Sequence, residues 1–150
     1  MGTTHFYEID VDWVTDRKGI MNSPVLDQSL EVATPPEFPK GIQGIWSPEH
    51  LFVAAVNSCL MTTFLSIAEN SKLEFETFRS KASGKLELVD GKYMMSEVTL
   101  MPVLTINDEK QIERAERVLQ KSEANCLITN SVKSKIVFKP EVRVKSTVNL

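Results

Sequence analysis

Residues 47–70 read SPEHLFVAAVNSCLMTTFLSIAEN, and this stretch decides the fold. Ser47 is a good N-cap, Pro48 suits the first helical position, and Glu49 places an acid where the helix dipole favours one. Together they predict a helix from Pro48 to about Asn70. From Leu51 to Ala68 it carries no charged residue, which is the lower edge of what a membrane span needs. Asn57, Ser58, Thr62, Thr63 and Ser66 interrupt the apolar run, and no basic cluster flanks it. The expectation is a long central buried helix and no membrane partner.

On the N-terminal side, His5, Tyr7, Ile9, Val11 and Trp13 alternate with polar residues, which predicts a half-buried strand. Asp16-Arg17-Lys18-Gly19 then supplies turn chemistry. A second alternating stretch carries Leu26, Leu30 and Val32. Pro35, Pro36, Pro39, Gly41 and Gly44 read as a loop rather than a linker, so residues 1–150 are expected to form a single domain.

On the C-terminal side, Asp90-Gly91 joins two strands in a hairpin. Phe78, Ala82, Leu86 and Leu88 are expected on one face of the first strand, and Met94, Val98, Leu100, Leu104 and Ile106 on one face of the second. Pro102 points to an edge position or a bulge. Asn107 or Asp108 then caps an amphipathic helix whose inner stripe is Ile112, Ala115, Leu119 and Ser122, continuing to Cys126. A last strand alternates Ile136, Phe138, Val142 and Val144. Strands before, between and after two helices indicate an α+β fold with mostly antiparallel sheets.

The charges, 17 basic and 20 acidic, are interspersed and form no basic stripe, so no nucleic-acid partner is expected. The first residues show neither a basic n-region nor an apolar h-region, and the expected location is cytoplasmic. In a reducing compartment two cysteines are more often free or catalytic than a structural bridge. Two histidines and two scattered cysteines give no metal-ligand spacing, and no metal or cofactor is expected.

Cys59 sits among Val56, Leu60 and Met61, where an intrahelical cysteine is usually an inert core residue. A reactive one must ionise. The helix start at Ser47 lies about 18 Å away, too far for the dipole to help, and burial opposes the thiolate. A working Cys59 therefore needs a cation from elsewhere, and the sequence offers several.

The run from Ser47 to Cys59, a proline–glutamate helix start, an aliphatic stretch and a cysteine after small residues, resembles the signature of the OsmC/Ohr family of organic hydroperoxide reductases. The block Asn125-Cys126-Leu127-Ile128-Thr129-Asn130-Ser131 resembles the family's second cysteine block, and Asp16-Arg17-Lys18-Gly19 its arginine-bearing turn. The resemblance implies an intertwined homodimer with sites at the subunit interface and a thiol-dependent peroxidase activity on organic hydroperoxides. It implies that Cys59 forms a sulfenic acid which Cys126 resolves to a disulfide. Arg17 would supply the cation, held by Glu49. Trp46, Phe52 and Met61 would line an apolar entrance, and a dithiol such as a lipoylated protein would be the reductant. Two positions depart from the pattern. Leu127 stands where the Ohr branch carries proline, and another branch places its arginine nearer the helix, where this chain has only Lys40.

Glu49 and Cys59 are ten residues apart, about 15 Å along one helix axis. An arginine cannot pair with one and approach the other across that gap within a straight helix. If both serve one site, they come from different subunits or the helix breaks. The competing readings are a ligand-binding dimer without turnover and a thiol–disulfide or sulfur-transfer protein.

Overall fold

The computed structural model describes residues 2–145. They form two compact units, one up to Leu51 and one from Phe52 onward.

The first unit holds an antiparallel sheet of β1 (Asp10–Thr15), β2 (Lys18–Asn22) and β3 (Leu30–Ala33), in that order. Asp16 makes the β1–β2 turn in the left-handed region at φ 49°, a conformation aspartate tolerates. Lys18 and Gly19 begin β2 instead of completing the turn, so the hairpin partner of β1 is residues 18–22. The five residues KGIMN are too short to show a period of their own. Within the single chain the expected half-burial of the first strand is not met. Every residue of β1 is exposed, Trp13 by 78%. As the edge strand of its sheet β1 has a neighbour only on the β2 side, and its apolar residues face solvent. The proline-rich segment is a loop, closed where the Ala33 N–H donates to the Trp46 carbonyl at 2.9 Å.

Helix α1 (Pro48–Asn70) has the boundaries its sequence predicts. The Ser47 hydroxyl accepts the His50 N–H at 3.1 Å, and the His50 ring reaches back to the same hydroxyl at 2.6 Å. The Ser47 hydroxyl thus caps the helix, and the His50 ring holds that hydroxyl rather than the Ser47 N–H that a capping box would use.

In the second unit, β4 (Thr77–Val89) and β5 (Lys92–Ile106) form the expected hairpin. Asp90 at φ 50° and Gly91 at φ 79° supply the two left-handed residues of a type I′ turn. Helix α2 (Ile112–Ala124) follows a 3₁₀ turn capped by Asp108. The last stretch splits at Lys139-Pro140 into β6 (Lys135–Phe138) and β7 (Glu141–Val144), both parallel to β5.

Two sequence expectations change here. Pro102 is buried on the central strand β5, not at an edge. It falls between Leu100, paired with Phe138, and Val103, paired with Glu141, in the break between β6 and β7 where no ladder bond is lost. Leu86 and Leu88 are exposed instead of facing the core. The register slips between Lys85 and Leu86, where Ser96 is left without an opposite residue, and inward alternation beyond that point is lost.

The core of this unit lies between the sheet and the helices. Phe64 is fully buried, stacks on Phe78 at 4.7 Å, and packs with Leu104, Ile106, Ala115, Val118 and Leu119. Val56 and Leu60 pack on Val98 and Leu100. At Gly84 an added Cβ would meet the Val53 side chain at 2.4 Å, so α1 approaches the sheet as closely as glycine permits. Phe64→Ala is expected to lower the unfolding free energy by about 3–5 kcal/mol in a urea titration.

Only one face of α1 is covered. Ala55, Ser58, Thr62, Leu65 and Glu69, at alternating spacings of three and four, are exposed. By length and composition α1 could cross a membrane, yet its other face supplies the core.

Candidate active site

The second unit brings Cys59 and Cys126 together. Cys59 lies at mid-helix, on the inward side of α1 between Val56 and Leu60. Cys126 follows the Asn125 cap of α2, at the point where the buried stripe of that helix runs out. Both are free thiols. Both are buried, Cys59 keeping 8% of its surface exposed and Cys126 none.

After Cys126 the chain tightens into a 3₁₀ turn, Thr129–Ser131. The Asn130 N–H donates to the Cys126 carbonyl at 3.1 Å, and the Ser131 N–H to that of Ile128 at 2.9 Å. The N–H groups of Leu127 and Ile128 donate instead toward Cys59. Ile128 and Val132 are packed against the Val56–Leu60 cluster, which pins the turn. Successive N–H groups aimed at one point form a concavity that suits an anion.

The two thiols are pushed in opposite directions. Burial pushes the Cys59 thiol up, but donation from the Ile128 N–H, the Cys126 thiol, the Thr63 hydroxyl and the Leu127 N–H outweighs it, and the net direction is down. Burial also pushes Cys126 up. The Thr129 hydroxyl and N–H oppose this, while the thiolate character of Cys59 adds to it, and the net direction is up. The buried Thr129 hydroxyl touches Cys126 without well-formed hydrogen-bond geometry.

Thr63 is the site residue that the sequence reading passes over. It lies four residues after Cys59, hence one turn along the same face, and its hydroxyl is 3.8 Å from the sulfur. That spacing is visible in the sequence. The main-chain donors are not, because they depend on where the turn after α2 docks. Thr63→Val removes one donor and keeps the shape, at a cost of about 1 kcal/mol to the thiolate. The pH at which Cys59 alkylates should then rise, with several-fold slower iodoacetamide labelling at neutral pH.

The remaining predicted residues are placed as follows. Arg17 is exposed in the β1–β2 turn, and Glu49 is half-buried in the first turn of α1. Among the described residues they form no ion pair within the chain. Trp46 is half-exposed, its ring edge-on to His50. Phe52 is packed against the core beside Val56 and Leu60. Met61 is exposed and lines a shallow groove with Ala54 and Phe78, in which the buried Asn57 Oδ1 and Ser80 Oγ have no partner. Among the described residues no cluster of three or more His, Cys, Asp or Glu forms a metal site.

The chain is similar to several known proteins. An uncharacterized Bacillus subtilis protein, YmaD, is 20% identical over 97% of each chain. An OsmC-like protein of unknown function from Vibrio cholerae superposes with a TM-score of 0.81 at 24% identity, over 91% of this chain and 99% of that one. An organic hydroperoxide resistance protein from Elizabethkingia anophelis gives 0.76 at 20% identity, over 97% and 100%. At these identities the structural likenesses are likenesses of fold. The family model for OsmC-like proteins matches residues 41–141, a span that includes both cysteines and both helices, and the chain belongs to the OsmC-like family.

Proposed function

We propose that the protein is a thiol-dependent peroxidase that reduces organic hydroperoxides to alcohols through Cys59 and Cys126. The observation that carries this reading is the meeting of the two thiols with their acidities set apart, Cys59 lowered and Cys126 raised. The presence of organic hydroperoxide resistance proteins among its structural neighbours supports it.

The Cys59 thiolate attacks the terminal oxygen of the hydroperoxide. The O–O bond breaks, the departing alkoxide takes a proton and leaves as the alcohol, and Cys59 becomes a sulfenic acid. Cys126 gives up its proton, attacks the Cys59 sulfur and displaces water, which leaves a disulfide. The upward push on the Cys126 pKa favours its thiol form, which stays silent until the sulfenic acid is beside it. Trp46, Phe52 and Met61 are assigned to an apolar entrance, and a dithiol returns the pair to the reduced state.

Arg17, held by Glu49, is assigned to the developing alkoxide and to the thiolate. Arg17→Ala should then slow peroxide reduction by about a hundredfold and raise the pH of Cys59 alkylation, with the fold unchanged. The same result from Lys40→Ala and not from Arg17→Ala would make Lys40 the cation. The working unit is a homodimer, supported by the exposed stripe of α1 and by the exposed Tyr7, Ile9, Val11 and Trp13.

Mixing reduced protein with cumene hydroperoxide tests the reading. The hydroperoxide should be consumed with loss of two titratable thiols per chain. A binding protein would leave both thiols titratable, and a sulfur-transfer protein would build up persulfide with a sulfur donor instead.

A further inference from the structure

The turn that follows α2 carries one hydroxyl that the backbone does not use. Thr129 stands three residues after Cys126, and the chain between them is helical. Ile128 lies in the right-handed region, and the Asn130 N–H donates to the Cys126 carbonyl at 3.1 Å. Positions three apart on such a turn share a face. The Thr129 side chain is thereby brought to the Cys126 sulfur, and the Thr129 N–H points to it as well.

The neighbouring hydroxyls are tied down. Ser122, four residues before Cys126, donates to the Val118 carbonyl at 2.6 Å, and Ser131 donates to the Leu127 carbonyl at 2.9 Å. Both satisfy a hydroxyl against the main chain, as serine and threonine in helical turns commonly do. Thr129 does not. Its Oγ1 is shielded from solvent and makes no well-formed hydrogen bond among the described residues. A buried hydroxyl in that state costs stability, and the turn does not need it, because valine would fill the same space.

The group against which this hydroxyl lies is the Cys126 thiol. That thiol is fully buried and must lose its proton to attack. Among the described residues the titratable group acting on it is Cys59, whose negative charge opposes the loss. Once Cys59 is a sulfenic acid that charge is gone, and the Thr129 hydroxyl and N–H remain to receive the charge on the Cys126 sulfur. A hydroxyl is donor and acceptor at once and rotates to suit either role.

We propose that Thr129 is the positioning residue of the disulfide-forming step: its hydroxyl accepts the Cys126 S–H in the resting pair and turns to donate to that sulfur as the proton leaves. The inference rests on the peroxidase reading and adds to it the residue that readies the second cysteine. The sulfur of Cys126 bonds to that of Cys59, and the S–O bond of the sulfenic acid breaks. The departing hydroxide takes the Cys126 proton and leaves as water. The Thr129 proton stays on its own oxygen throughout.

Disulfide closure can be timed without a peroxide. Dithiobis(nitrobenzoate) converts Cys59 to a mixed disulfide with release of one nitrothiobenzoate, and attack by Cys126 then releases a second. Thr129→Val should leave the first release close to the wild type. It should slow the second about tenfold, the effect of one hydrogen bond to a charged group, and move the pH midpoint of that step upward. Thr129→Ser, which keeps the hydroxyl, should close at near the wild-type rate, and Thr129→Ala should be as slow as Thr129→Val. Closure by Thr129→Val at the wild-type rate would overturn the proposal. So would equal slowing by Thr129→Ser, which would make the methyl group responsible, or equal slowing of both releases, which would mean that the whole turn had moved. With cumene hydroperoxide the Thr129→Val delay should appear as a longer-lived sulfenic acid on Cys59, trapped by dimedone. If the hydroperoxide leaves both thiols intact while the two releases still part as described, the peroxidase reading fails and the part of Thr129 in closing the disulfide stands.

Discussion

Cys59→Ser is expected to abolish hydroperoxide consumption, a loss of at least about a thousandfold, whereas Cys126→Ser should complete one turnover and stop. A serine hydroxyl does not ionise at neutral pH. The donors gathered at position 59, the N–H groups of Leu127 and Ile128 and the Thr63 hydroxyl, would have no anion to stabilise. In Cys126→Ser those donors remain, apart from the Cys126 thiol itself, so the first attack survives at a somewhat reduced rate. The sulfenic acid then has no thiol beside it and should be trapped by dimedone on Cys59 alone. Near-wild-type turnover by Cys59→Ser would remove the assignment.

The second large effect concerns the dimer. Helix α1 is unbroken from Pro48 to Asn70, so Glu49 and Cys59 stay about 15 Å apart along its axis. If Arg17 is held by Glu49 and acts on Cys59, as proposed, Glu49 of one chain must serve Cys59 of the other, and a twofold dimer would have two such sites. Glu49→Ala and Cys59→Ser homodimers should each be nearly inactive. Co-refolded as heterodimers they should regain activity, because one site per dimer joins wild-type Glu49 from one chain to wild-type Cys59 from the other. Sedimentation of a fully active monomer would end this account. Failure of complementation in verified heterodimers would confine each site to one chain.

Local signals carried much of this architecture. Ser47-Pro48 and Asp90-Gly91 act through their own backbone chemistry, so the start of α1 and the β4–β5 turn could be read directly. So could the stripe that leads along α2 to Cys126. Features set by partners elsewhere were not legible. The exposure of β1 depends on what fails to cover it, the lost alternation at Leu86 and Leu88 on a bulge opposite, and the tolerance of Pro102 on a break between two later strands.

At the site, the expectation that Cys59 needs a cation is only part of the physics. A turn after α2 supplies main-chain donors in a place where the helix dipole cannot reach. Leu127, which departs from the proline of the Ohr branch, contributes an N–H that proline lacks. That contribution follows from the docking of the turn and leaves no trace in residue spacing.

Peptide mapping by mass spectrometry tests the central claim most directly. Reduced protein is given one equivalent of cumene hydroperoxide without any reductant, then alkylated and digested. The account predicts a single cross-linked species joining the Cys59 and Cys126 peptides, lighter by two hydrogens and formed as fast as the hydroperoxide disappears. Recovery of both cysteines as alkylated thiols, or of Cys59 as sulfinic acid beside an alkylated Cys126, would contradict it.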